Sequence, residues 1–185
     1  MKNAVAHWFG EDFDKLNPLL RRLHTQGGRL YGKVDITFGT GISGLIGRRI
    51  AGKLGIPSQA GKVPFSVEIR HSLETLFWSR TFANGHTMTS EFQPVKTFRQ
   101  GGYWIESSGP VNIQLGVSIE GGNWQWLQQS VSIFQLPIPT ILMPKVSAGK
   151  AIIDALYQFE VKMALPVLGF AFGYSGKLLE YAEQA

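Results

Sequence analysis

The amino-acid sequence predicts a mainly β protein, an antiparallel meander that closes into a β-barrel of the calycin or lipocalin type. The chain of 185 residues contains 22 glycines and 12% aromatic side chains, which is typical of many short strands separated by tight turns. Apolar and polar residues alternate through most of the chain, as they do in strands with one buried face. We therefore expect residues 1–185 to be one domain, in which about eight to ten strands close around an apolar interior because open edges invite aggregation.

Two helical segments interrupt the strand pattern. Residues 11–25 carry leucines at helical spacing, and Pro18 divides them into two short pieces of an N-terminal helix. A first strand, near residues 30–38, then alternates with period two. Residues 42–54 return to helical spacing and form a short helix after that strand, ended by Gly55.

The other strands follow one another from residue 62. Asn84-Gly85 separates two of them and is the strongest hairpin signal of the chain. Three prolines make residues 136–144 a hydrophobic loop, because proline is excluded from helix interiors and central strands. The predicted strands cover residues 62–70, 75–83, 86–94, 95–99, 102–107, 111–119, 124–134, 156–165 and 168–180.

The composition narrows the functional classes. The chain has no cysteine, which excludes disulfides, thiolate metal sites and cysteine nucleophiles and suits a reducing compartment, so we expect a cytoplasmic protein. No apolar stretch has the length of a signal peptide or a membrane span. The net charge of +5 is dispersed along the chain rather than clustered, and this pattern argues against binding to nucleic acid.

Five stretches of sequence carry a resemblance to a known family. They are FDKLNPLLRRLH near the start, GIPSQAGKVPFSV, WSRTF, LPIPTILMP and LPVLGFAFGYSGKL near the end. They resemble the bacterial family called domain of unknown function 4166, for which the resemblance implies no established activity. Members are similar to stand-alone domains or follow an NADP-binding domain like that of saccharopine dehydrogenase. This chain lacks such a nucleotide-binding half, so dehydrogenase chemistry would need an NADP-dependent oxidoreductase as a partner.

A glycine motif lies between the first strand and the short helix. Residues 39–44 match G-x-G-x-x-G, the fingerprint of dinucleotide binding. The preceding strand alternates, whereas the parallel strand of a dinucleotide fold is apolar on both faces, and no further β-α unit follows. We therefore interpret the glycines as a bend between strand and helix. A helix N-terminus beside Arg48 and Arg49 could still receive an anionic headgroup.

The most distinctive chemical pattern is an arginine between aromatic residues. Trp78, Arg80 and Phe82 share one face of their strand by strict alternation. If that face is interior, Arg80 needs a partner, because an unpaired buried charge is prohibitive. The partner is a ligand carboxylate, or else Glu68, Glu91 or Glu106 in a structural pair; exposure of Arg80 to solvent is the third alternative.

No residue pattern indicates catalysis. The four histidines lack the spacing of metal ligands, no nucleophile elbow occurs, and we predict no catalytic residue, metal or cofactor. His24 is expected to end a helix, where a positive charge is favourable. Asp35 is expected on a solvated strand face.

The leading functional prediction is a module that binds a fatty acid, lipid or other elongated apolar small molecule inside the barrel. Arg80 would anchor its polar end. The helix at 42–54 and the loop at 136–144 would fill one barrel end, although contact with an anionic membrane surface is the alternative. A non-catalytic accessory or enzyme domain and a structural interaction domain are the other candidates. The side chains predicted to line the ligand are Phe65, Trp78, Phe82, Val117, Phe159 and Phe172.

Overall fold

The computed structural model describes residues 3–154 and 156–180. Its helices are α1 (Ala4–Phe9), α2 (Pro18–Gln26) and α3 (Gly41–Lys53), with a 3-10 helix at Gly10–Lys15 between the first two. None of its helices is both long enough and apolar enough to cross a membrane. The strands are β1 (Gly28–Phe38), β2 (Gly61–His71), β3 (Leu76–Phe82), β4 (Thr87–Val95), β5 (Tyr103–Ser108), β6 (Val111–Glu120), β7 (Asn123–Ile133), β8 (Leu136–Pro137), β9 (Lys145–Ile153), β10 (Leu156–Leu165) and β11 (Gly169–Glu180).

Ten of these strands form one closed antiparallel barrel, which confirms the predicted fold class. Strands β1 to β7 pair in sequence order, β7 pairs with β9, β9 with β10, and β10 with β11. The ring closes where β11 pairs with β1, so that Phe38 lies opposite Phe172. Strand β8 is a two-residue addition to β7.

The N-terminal helices cover the end of the barrel at which β1 begins, which we call the lower end. Asn3 accepts hydrogen bonds from the backbone N–H groups of Val5 and Ala6 and thereby caps α1. Its amide also donates to the backbone carbonyl of His24, which ties α1 to the last turn of α2. Trp8 is buried against Trp104, so the apolar side of these helices completes the core.

The opposite, upper end is the one at which β1 finishes and α3 begins. Helix α3 packs on β11 through its small buried residues Ser43, Gly44, Gly47 and Ala51, while Ile50 and Leu54 pack against the core. A side chain at residue 47 would collide with the backbone carbonyl of Ala171. The N-terminal helices cover the lower end, and the filling of the upper end by α3 stays a prediction.

Other local expectations differ from the structure in informative ways. Residues 95–99, predicted as a strand, lead into a 3-10 helix at Phe98–Gln100 that Thr97 caps. Strand β9 was not predicted, since Gly149 and Lys150 interrupt its apolar pattern. The predicted helical break at Pro18 is confirmed, because proline occupies the first turn of α2.

Candidate functional site

Arg80 lies inside the barrel and has a structural partner. Its guanidinium donates to a carboxylate oxygen of Glu106 at 3.4 Å and to the hydroxyl of Tyr174 at 3.3 Å. A third hydrogen bond goes to the hydroxyl of Ser90. These anionic and polar neighbours hold the pKa of Arg80 above its usual value in spite of burial. Of the three alternatives for Arg80, the structure places it in the pair with Glu106.

The predicted ligand wall is divided between two parts of the interior. Phe65 packs against Phe82 and Phe159, with ring centroids 4.9 and 5.4 Å apart. Phe172 is buried beside Phe38 near the upper end. These rings fill the space between them. The role of these residues in ligand binding remains a prediction.

Trp78 and Val117 complete the predicted wall. Trp78 packs edge to face on Phe92, with the ring centroids 5.7 Å apart, and also borders His24 in the lower interior. Val117 is half-buried and packs against the core from β6.

A second cation, Lys150, lies in the lower interior among tryptophan rings. Its ammonium nitrogen is 3.7 Å from the ring centroid of Trp124, 4.3 Å from that of Trp78 and 5.6 Å from that of Trp126. The residue is only 1% exposed, and in the described part of the chain no carboxylate forms an ion pair with it. Burial accordingly lowers the pKa of Lys150 well below its usual value.

Two histidines connect Lys150 with the protein surface. The Lys150 Nζ atom is 2.8 Å from His24 Nε2, and His24 Nδ1 is 3.3 Å from His71 Nε2. Burial, together with the neighbouring Lys150 and His71, lowers the pKa of His24 well below its usual value. Burial and Lys150 lower the pKa of His71 to about 4. His24 lies in the last turn of α2, as predicted, but its lowered pKa disfavours the positive charge expected there.

The histidine chain ends at a cleft on the lower end of the barrel. The cleft measures about 650 Å³ and lies between Asn3, Thr25 and Gln26 on one side and residues 71–75 on the other. His71 lines it and is half-buried. A base at the surface is thus joined by hydrogen bonds to two bases inside the barrel.

The upper end presents a different surface, which we call the apolar rim. Residues 133–145 and 165–169 lie together there, because Ala164 pairs with Lys145 and Leu165 with Gly169. Fifteen large apolar side chains of the described residues are exposed, and ten of them lie at this end. The rim consists of Ile42, Leu45, Ile133, Phe134, Leu136, Ile141, Leu142, Val167, Leu168 and Phe170.

Charge is distributed unevenly between the two ends. The segments at the upper end, residues 36–67, 132–149 and 161–172, contain no aspartate or glutamate. They carry the exposed cations Arg48, Arg49, Lys53, Lys62, Lys145 and Lys162, of which Lys162 pairs with Glu160 at their margin. Most acidic residues instead belong to the lower end, such as Glu11 and Asp12, which pair with Arg99.

The glycine motif and its two arginines have structural surroundings. Gly39 and Gly44 lie where a side chain would meet neighbouring backbone, so the motif serves the turn from β1 into α3. The Arg48 guanidinium lies 4.4 Å from the centroid of the Phe38 ring and donates to the carbonyl of Ser58. Arg49 is exposed. Binding of an anionic headgroup by this pair stays a prediction.

Sequence reasoning missed the lower site. In β9, Lys150 lies on the same strand face as the apolar residues Val146, Ala148 and Ile152. A lysine on an apolar strand face is the sequence signal that could have identified the lower site. Nothing local indicated His24 or His71, since they come together only through the packing of α2 on β2.

A family model matches the chain. The family model Domain of unknown function (DUF4166) matches residues 16–178, which is most of the chain. No curated protein matches the chain.

Proposed function

The chain belongs to the DUF4166 family, whose name assigns no activity, and from the geometry of its upper end we propose that it is a lipid-binding module. The observation that carries the proposal is the apolar rim. Large apolar side chains exposed together at one end of a protein are unusual, and patches of this kind mark sites that another apolar surface covers. A lipid or fatty acid supplies that surface.

The charges around the rim indicate which kind of lipid it suits. Arg49, Lys53 and Lys145 are exposed and have no carboxylate in the segments around them. A basic and apolar surface of this composition favours the interface of an anionic membrane, where cations meet headgroups and apolar side chains enter the acyl boundary. The bound molecule is therefore an elongated apolar one with an anionic head.

A ligand held deeper would have to displace packed rings. The Phe65, Phe82 and Phe159 rings would need to separate, and the anchor Arg80 would need to exchange Glu106 for the ligand carboxylate. We propose the rim as the primary lipid site, with the interior predicted to receive an acyl chain only after these residues move.

Vesicle binding tests the proposal. We expect the protein to cosediment with vesicles of phosphatidylcholine and phosphatidylglycerol and to bind pure phosphatidylcholine much less. The double variant Ile141→Ser/Leu142→Ser should lose about 30- to 1000-fold in affinity, since each side chain loses burial worth roughly 1–2 kcal/mol.

Two variants provide matched controls. Leu127→Ser removes an apolar side chain of similar exposure from the barrel wall and should bind normally. Arg70→Glu changes an exposed charge at the lower end, whereas Arg49→Glu changes one beside the rim, and only the second should weaken binding to anionic vesicles.

Other results would favour a different function. If the protein binds neither kind of vesicle and its apparent molecular mass falls on dilution, the rim is a protein interface and the lipid proposal is wrong. An interface with an NADP-dependent oxidoreductase would then be the candidate to examine.

A further inference from the structure

The lower end of the barrel holds a chemical arrangement that lipid binding at the upper end does not use. Lys150, His24 and His71 form a continuous chain of bases, with links of 2.8 and 3.3 Å, that runs from the tryptophan-lined interior to the wall of the cleft. A structural lysine would normally pair with a carboxylate or reach solvent, and Lys150 does neither within the described residues.

The hydrogen-bond chain has two orientations, and one proton decides between them. A neutral amine can donate or accept, so the neutral chain can point inward or outward. An ammonium can only donate, so a protonated Lys150 donates to His24 Nε2. His24 then carries its proton on Nδ1 and donates to His71 Nε2, which leaves the proton of His71 on Nδ1. Protonation at the buried end therefore turns every donor toward the cleft.

The surroundings of Lys150 give its protonated form no counter-charge. The indole N–H groups of Trp78, Trp124 and Trp126 are buried without a hydrogen-bond partner among the described residues, so the region is rich in donors and poor in acceptors. An anion beside His71 would supply the charge that the protonated chain lacks. Binding of the anion and uptake of the proton must then favour each other equally, by thermodynamic reciprocity.

The other charged groups near the hydrogen-bond chain of Lys150, His24 and His71 are either paired or exposed to solvent. The pKa of His24 responds to Lys150 and His71, and that of His71 responds to Lys150, besides burial. Arg80, two positions from Trp78 on β3, forms an ion pair with Glu106. On the outer surface of α2, Arg21 pairs with Asp14 and Arg22 pairs with Glu180. Glu68 of β2 pairs with Arg29. Arg70 and His7 are exposed.

The cleft lining limits the class of ligand. Glu74 is the carboxylate of the lining and is exposed at its edge. The hydroxyl of Ser72 accepts from the backbone N–H groups of residues 74 and 75, and the Asn3 amide is used by helix ends. His71, Gln26 and the hydroxyl of Thr75 remain as donors for a ligand. A few neutral donors suit a carboxylate, whereas phosphate sites gather more N–H groups and cations.

We infer that the cleft beside His71 binds a small carboxylate-bearing molecule and that the His71–His24–Lys150 chain takes up a proton as the carboxylate binds. This second site lies at the opposite end of the barrel from the lipid surface and does not depend on it. His71 would contact the ligand directly, with His24 and Lys150 as positioning residues.

Calorimetry with acetate tests this inference. Titrations of the full chain at pH 8 in Tris and in HEPES, whose ionisation enthalpies differ, give the number of protons exchanged per acetate bound. We expect a net uptake of protons on binding, and an acetate affinity that falls as the pH is raised above 8. Acetamide, which has the same shape and no charge, should neither bind detectably nor exchange protons.

Two variants separate the ligand contact from the proton store. His71→Gln should weaken acetate binding at least tenfold. Lys150→Met keeps the cleft and fills the tryptophan pocket with an apolar side chain, so it should fold and should abolish proton uptake at pH 8. Acetate that fails to bind the wild-type chain, binds His71→Gln equally well, or binds without proton uptake would overturn the inference.

Discussion

The two ends of the barrel differ in whether they bury or expose apolar side chains and charges. At the lower end, helices α1 and α2 bury Trp8 and the neighbouring core, and even a lysine is withdrawn from water. At the upper end, ten large apolar side chains are left in water with cations around them. Apolar residues at the lower end are buried and stabilise the fold, whereas those of the rim are exposed and form the surface for which we propose an outside partner.

Truncation of an apolar residue at each end should give the largest contrast. Trp8→Ala removes a fully buried ring that contacts Trp104 and Phe98, and we expect it to lower the free energy of unfolding by about 3–5 kcal/mol. Leu142→Ala at the rim should change it by less than about 0.5 kcal/mol, as for most surface positions. Urea denaturation of both variants measures the difference, and similar losses would mean that the rim belongs to the core.

The two interior cations should respond in opposite directions to the same substitution. Arg80→Met leaves Glu106 without its cation and should destabilise the fold by about 3 kcal/mol. Lys150→Met removes a buried base without a carboxylate partner and should stabilise the fold by about 1 kcal/mol, after the loss of one hydrogen bond to His24. Equal destabilisation in urea denaturation would show that the tryptophan rings compensate the charge of Lys150.

The titratable groups of the lower end should have a smaller effect, which appears in the pH dependence of the free energy of unfolding. The pKa of His71 is lowered from 6.5 to about 4, so the unfolded chain binds more protons than the folded one between these values. Stability should therefore rise as the pH increases from about 4 to 6.5, and Lys150, whose pKa is also lowered, should extend the rise toward 10.5.

Denaturation curves of wild type and His71→Gln at pH 5 and pH 7 test this dependence. The variant should show the smaller change between the two pH values, because glutamine does not titrate. An unchanged difference would mean that other groups cause it.

Local patterns of the sequence predicted much of the fold but little of the lower site. The strands, the closure and the break at Pro18 follow from alternation and turn chemistry, which act between near neighbours. The Lys150–His24 contact joins residues 126 positions apart, and local sequence patterns do not predict contacts over such a separation. Small residues of α3, which a hydrophobic pattern does not register, form much of the side that packs on β11.

The sequence reading of Arg80 shows the same limit. Alternation was sufficient to place Arg80 on the face of Trp78 and Phe82, and charge burial was sufficient to require a partner. Register across two neighbouring strands then selects Glu106 from the three candidate glutamates, and this register exists only in the folded sheet.

Hydrogen–deuterium exchange with and without anionic vesicles tests the central claim, that the upper end is the lipid-binding surface, most directly. The account predicts slower exchange in residues 41–53, 133–144 and 166–170 when vesicles are present, with no change in residues 71–75 at the lower end. Protection confined to the lower end, or no protection in a sample that binds the vesicles, would contradict it.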